Sequence, residues 1–177
     1  PDVRGYRTGN VLPGGAISIA GNILAESGSR LAVSGATGTL DLAPTYRALS
    51  GATAGSTAGA PVVATRVDSN AGTITLAGAQ ELFTDATLVG AAGGPSALGG
   101  NLAISSGRFY PLGTSASAQT PADVTLTVTQ SGPVAPASPL AAGQTAIGQS
   151  VRTTGGAVLS GQGYFAANSF LDGGFDD

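Results

Sequence analysis

The stretch "GGAISIAGNILAESGSRLAVSGATG", Gly14 to Gly38, is followed downstream by a second copy of its own design. Laid without gaps from Gly15 onto "GTITLAGAQELFTDATLVGAAG", which starts at Gly72, it sets Ile17 on Ile74, Ile19 on Leu76, Gly21 on Gly78 and Leu31 on Leu88, 57 residues apart. Recurrence at a fixed spacing is the signature of a stacked-repeat architecture, in which each unit buries its apolar face only against the next. Coils of about 20–29 residues are usual for repeats that contain strands, so this spacing predicts two or three coils between the copies.

Local patterning agrees. Large apolar residues alternate with Ser, Thr or Ala in Ala16–Ala20, Leu31–Val33, Thr73–Ala77, Leu102–Ile104 and Asp123–Thr129, and Gly, Asn, Ser or Pro bounds each run. Period-two alternation puts one set of side chains on a single face, as a half-buried strand requires. Nowhere does an i, i+3, i+4 apolar pattern persist over ten residues. The fold class expected is therefore all-β, with an interior stack of Ile17, Ile19, Leu31, Val33, Ile74, Leu76, Leu88, Leu102, Ile104, Val124, Leu126 and Val128.

Glycine is expected at the corners, where a coil turning between flat faces needs positive φ or close backbone approach. Gly21, Gly35, Gly78 and Gly107 follow strand patterns and are the candidate corners. A sandwich or barrel would show Asn-Gly or Asp-Gly hairpin turns. The chain has no Asn-Gly, and its one Asp-Gly is Asp172–Gly173. Two segments break the rhythm, residues 50–60 and 132–145, and are expected to be loops extruded from one stack that spans residues 1–177.

Composition narrows the chemistry. Of 177 residues, 29 are Gly and 10% are charged, with net charge −3. The hydrophobic share of 42% argues against charge-driven disorder. Cys and His are both absent, which removes disulfides, thiolate metal sites and the commonest general base. All seven basic residues are Arg and none is clustered, so nucleic acid is not an expected partner. No apolar run approaches the ~20 residues of a membrane helix, so membrane insertion is not expected. No cofactor or metal is expected, and no catalysis. The chain has no Met and opens on "PDVRG", which suggests a piece of something longer.

Three features invite other functions. "LDGGFDD", Leu171–Asp177, offers carboxylates to a hard cation but lacks the spacing of calcium-binding β-rolls or EF-hands, and a turn before a further strand is the simpler use. Asp68, Glu81 and Asp85 are the best candidates for the paired carboxylates of a β-helical carbohydrate-active enzyme or phage tailspike. Absent Trp and 5% aromatic content leave few platforms for sugar rings. Thr73/Thr75 and Thr125/Thr127/Thr129 suggest an ice- or mineral-binding array, but Ala16/Ser18 breaks its register. Phe109, Tyr110, Tyr164, Phe165, Phe170 and Phe175 are expected to pack core and corners, with Arg30 and Arg108 on a solvated face.

"GGAISIAGNILAESGSRLAVSG", "GTITLAGAQELFTDATLVGAAGG", "GGNLAISSGRFYP", "DVTLTVTQSGP" and "GYFAANSFLDGGFDD", in this order, resemble the repeat region of filamentous haemagglutinin-like large exoproteins. These are the secreted partners of two-partner secretion systems in Gram-negative bacteria. The resemblance implies a right-handed parallel β-helix that passes an outer-membrane transporter and folds outside as a rod. Such a rod serves adhesion, biofilm formation or toxin presentation at the cell surface. Its partners would be the remainder of the same long chain, the transporter during export, and a host-cell, matrix or neighbouring-bacterium surface. The family's secretion domain carries Asn-Pro motifs and this chain has none, so the resemblance places it in the interior or distal shaft. Open coil ends are sheet edges, which predicts end-to-end or lateral self-association.

Overall fold

The computed structural model describes residues 1–3, 5–43, 52–54, 62–107, 109, 121–132, 150–153 and 155–177. They form an all-β structure. Its strands are β1 (Ala16–Ala25), β2 (Arg30–Ala32), β3 (Thr37–Leu42), β4 (Ala52–Ala54), β5 (Val63–Asp68), β6 (Thr73–Thr84), β7 (Thr87–Val89), β8 (Asn101–Ser106), β9 (Val124–Thr129) and β10 (Gly161–Ala166). A four-residue helix, α1 (Asn168–Leu171), follows β10.

Parallel pairing dominates. β6 is the hub: β1 lies along one edge, while β8 and β10 share the other, β8 against Thr73–Gly78 and β10 against Glu81–Phe83. β9 continues the sheet beyond β10, and β2 pairs with β7 in a second parallel sheet. The partners set together by the internal superposition are direct neighbours here. Ile17 pairs with Ile74, Ile19 with Leu76, Gly21 with Gly78 and Leu31 with Leu88.

The spacing has a different origin from the one expected. Residues 57 apart are adjacent in the ladder, so one pass of the chain, not two or three coils, separates the copies. The next pass is shorter, since Thr73 pairs with Asn101, 28 residues on. The first pass is longer because it carries an antiparallel sheet, in the order β3-β5-β4, between β2 and β6. Part of this sheet falls where a loop was expected: residues 52–54 are β4, while 50–51 and 55–60 lie outside the described residues, as do 133–145 of the second expected loop.

The candidate corner glycines have varied settings. β1 runs through Gly21 to Ala25, and β6 through Gly78 to Thr84, so neither glycine is a corner. They sit instead at a break in register: separation is 57 at Gly21↔Gly78, 59 at Ile23↔Leu82, and 57 again at Arg30↔Thr87. The extra residues of β6 make a bulge, which raises local twist and unpairs backbone groups. Asn22 satisfies them, its Oδ1 accepting the N–H of Gln80 at 3.0 Å and of Glu81 at 3.3 Å. Gly21 has φ 116°, where a Cβ is strained. Gly78 is needed for space, as its Cβ would lie 2.6 Å from that of Leu82. Gly35 follows β2 and abuts the Ser69 carbonyl, and Gly107 follows β8 in open space.

Packing is graded along the stack. Ile74 and Leu76 on β6 are fully buried at 0% exposure, whereas Ile17 and Ile19 on β1 and Leu102 and Ile104 on β8 are half-buried. Leu82, Leu88, Ile23, Val33, Phe165 and Phe175 complete the core, with Leu31 packed against it. The expected stack does not hold at β9. Val124 is half-buried, and Leu126 and Val128 are exposed at 36% and 60%. β9 is the last strand of its sheet, so nothing among the described residues covers its core-facing side.

Candidate functional site

An apolar cleft lies at the end of the stack, beside β8 and β10. After α1, Gly174 at φ 73° turns the chain. Phe175 then bridges in parallel to Gly100, and the Leu102 amide donates to the Asp177 carbonyl at 2.7 Å. "LDGGFDD" is thus the end of α1 and a turn leading into a single parallel bridge, with no strand after it among the described residues. Past Leu102 the described residues leave that edge of β8 unpaired. Leu102, Ile104, Phe165, Phe170, Leu171, Ala167 and Gln130 line a cleft of about 390 Å³. Phe170 stacks on Phe175 with centroids 6.1 Å apart. Leu171 is 63% exposed at the rim.

Small residues set this geometry. Val124 and Leu126 lie opposite Gly161 and Gly163 of β10, where a Cβ would stand 2.5 Å from Val124 Cγ2 and 2.9 Å from Leu126 Cδ1. Both apolar side chains lean into space the glycines leave empty.

The candidate carboxylates are placed apart in role. Asp68 ends β5 with its side chain 1% exposed, and its carboxylate accepts from Thr37 Oγ1 at 2.6 Å, Arg66 Nε at 2.7 Å and Ser96 Oγ at 2.9 Å. The Thr37 hydroxyl first, then Arg66, hold it down at a pKa of about 2. These bonds join β3, β5 and the segment after β7, so Asp68 ties the antiparallel sheet to the parallel stack. Glu81 is buried on β6, with Oε1 lacking a hydrogen-bond partner, and burial raises its pKa. Asp85 follows β6 and lines a recess of about 330 Å³ with Ser27, Thr84, Ala86, Ala166 and Ser169.

Other candidates are dispersed. Ser18, Thr75 and Ala103 are successive ladder partners, so threonine does not repeat from strand to strand. Among the described residues no group of three or more Asp, Glu, His or Cys is arranged to hold a metal. None of their helices is long and apolar enough to cross a membrane. Phe109, Phe165 and Phe175 are buried, and Tyr164 stacks on Phe83 at 5.5 Å. Arg30 is exposed, whereas Arg108 and Tyr110 lie outside the described residues.

Three features escaped the sequence reading. Gln80, 1% exposed, donates through Nε2 to the carbonyls of Val151 and Leu159 and accepts the Val151 amide at 2.7 Å, pinning residues 151–159 to the bulge. Ser69 accepts the Ala36 amide and donates to the Leu12 carbonyl, closing the base of the antiparallel excursion. A glycine seam of Gly14, Gly72, Gly93 and Gly100 lets backbones of successive passes touch. Gly14 and Gly100 stand in Gly-Gly pairs ahead of β1 and β8, whereas Gly72 follows Ala71, so the pair does not mark every position of the seam.

No protein-family model, curated protein or solved structure matches the chain.

Proposed function

We propose that the chain is a segment of the structural shaft of a secreted, surface-displayed bacterial exoprotein, the ladder β1–β6–β8 being successive coils of a right-handed β-helix. One observation carries this reading: like side chains stack in register through three strands, Ile17–Ile74–Leu102 and Ile19–Leu76–Ile104, sealed in the middle and half-open at both outer strands. Such a unit gains apolar burial each time a coil is added, as a solenoid does. The antiparallel excursion is an appendage on the rod, anchored through Asp68 and Ser69.

In this role the chain performs no chemistry. The outer-membrane transporter and a host, matrix or bacterial surface are its encounter partners, and adhesion, biofilm formation or toxin presentation its outcome. The enzyme reading has less support, because Asp68 is engaged by three donors and Glu81 is buried rather than set on an open groove.

Electron microscopy of native material carrying this sequence tests the reading. A thin rod whose coils rise about 4.8 Å, the spacing between strands, is expected. A compact particle without an axial repeat would overturn it, and release of reducing ends from a polysaccharide would replace it with the enzyme.

A further inference from the structure

We propose that Glu81 is a proton-controlled latch: with its carboxyl protonated it holds β10 against the bulge of β6, and its ionisation releases β10, and β9 beyond it, from the parallel sheet. The inference stands apart from the shaft reading, because it concerns a joint inside the fold whatever the chain is used for.

The strands of this sheet are almost without charge. β1, β8, β9 and β10 contain no Asp, Glu, Lys or Arg, and Glu81 is the one such residue on β6. It is 7% exposed, and its Oε1 has no hydrogen-bond partner. An ionised carboxylate in that setting has lost water without gaining a cation, whereas the neutral acid avoids most of that cost.

Its position decides which part of the fold feels the cost. Among the described residues β10 is laddered to β6 through three rungs, Glu81↔Gln162, Leu82↔Gly163 and Phe83↔Tyr164, and β9 joins the sheet through β10. Beside these rungs Gln80 holds Val151 and Leu159. β1 and β8 meet β6 along longer ladders that begin at Thr73. Asn22 Oδ1 also accepts the Glu81 amide at 3.3 Å, which ties the backbone of the bulge to β1. The joint that can open without dismantling the stack is therefore the one to β10, a short ladder at an irregular point of its strand.

Titratable and charged groups on the surrounding elements are few. β10 carries Tyr164, stacked on Phe83. Glu26 and Asp85 follow β1 and β6, and Asp123 precedes β9. Arg152 lies in the segment held by Gln80, its guanidinium donating to the Gly156 carbonyl at 2.9 Å. Burial is the one cause that raises the Glu81 pKa, with no opposite charge offsetting it. The closed joint therefore binds the proton more tightly than the open one. Closure is favoured below the ordinary glutamate range and weakens as pH rises through the raised folded value. Asp68, at about 2 and on β5, acts in a separate and lower window.

Hydrogen exchange of the 177-residue chain, followed by NMR between about pH 4 and pH 8 and corrected for intrinsic rates, tests the latch. Protection of the β10 amides and of Val151 and Leu159 should fall at least about fivefold as pH rises, the smaller end of what an unsatisfied buried group costs. Ile74 and Leu76 on β6 should keep theirs. In Glu81→Gln, protection of β10 should stay at its acid level throughout. If that variant does not fold, the wild type decides: the Glu81 carboxyl carbon should titrate above the ordinary glutamate range, and the β10 amide shifts should share its midpoint. A carboxyl that titrates in the ordinary range, β10 protection independent of pH, a fall that persists in Glu81→Gln, or an equal loss across β1, β6 and β10 would overturn the proposal.

Discussion

Replacing Gly72 with alanine tests the parallel register at its tightest point. A Cβ at position 72 would collide with the carbonyl oxygen of Gly15 and stand 2.7 Å from the Gly14 carbonyl carbon. These are backbone atoms of the adjacent pass, and no rotamer change removes them. Relief requires Gly72 to move away from Gly14 and Gly15. That movement stretches two hydrogen bonds, Gly72 N–H to Val33 O at 2.7 Å and Thr73 N–H to Gly15 O at 3.0 Å. Losing two such bonds costs about 2 kcal/mol, and the overpacking adds about 1–3 kcal/mol. A loss of about 3–5 kcal/mol is a large share of the 5–15 kcal/mol typical of a folded domain. Urea unfolding followed by circular dichroism measures it directly. Gly107→Ala is the matched control: its Cβ meets open space and its φ is not left-handed, so it should be neutral or slightly stabilising. A Gly72→Ala variant within about 1 kcal/mol of wild type would refute the register, since overpacking alone is expected to cost at least that much.

Three further outcomes follow from the same geometry. Leu76→Ala should cost about 2–5 kcal/mol in the urea midpoint analysis because the side chain is wholly enclosed, while Leu126→Ala, on the open face, should cost under about 1 kcal/mol. Asp68 has a folded pKa lowered to about 2, so the stability it confers is present above the usual carboxylate range and lost as pH falls toward 2. Thermal melts between pH 6 and pH 2 should therefore fall more steeply for wild type than for Asp68→Asn. Gln80→Leu strands the Val151 amide and the Leu159 carbonyl, while the Val151 carbonyl keeps the Leu159 amide at 3.1 Å, for a loss of about 3 kcal/mol, and hydrogen exchange at Val151 and Leu159 should accelerate before that of β6.

How much of this was legible in the sequence depended on whether the cause was local. Alternation in Ala16–Ala20 and Thr73–Ala77 reports a strand and its buried face, and self-similarity reports that Ile17 and Ile74, or Leu31 and Leu88, hold equivalent positions, but not that they are direct neighbours, since two or three coils were expected between them. Register cannot say what fills the chain between two partners. The antiparallel sheet lacks a two-residue turn because β3 and β5 connect through β4, and no Asn-Gly marks it. Gly72 and Gly100 are required by a neighbouring pass rather than by their own φ. In a chain with 29 glycines nothing local distinguishes them from Gly107. Leu126 and Val128 alternate as well as Ile74 and Leu76 do, yet burial belongs to the strand beyond, which their own pattern does not encode.

The same distinction explains why the candidate site lies at an end of the stack rather than in a groove. Apolar alternation makes every strand sticky on its core face, and only a neighbour on each side converts that property into burial. β6 has both neighbours and holds the fully enclosed Ile74, Leu76, Leu82 and Phe83. Among the described residues β1 and β9 have one each, and Ile17, Ile19, Leu126 and Val128 keep part of their surface in water. Hydrophobic stabilisation scales with the area removed from water, so β6 carries a disproportionate share of the fold's stability and each open end retains an unspent driving force for one more strand.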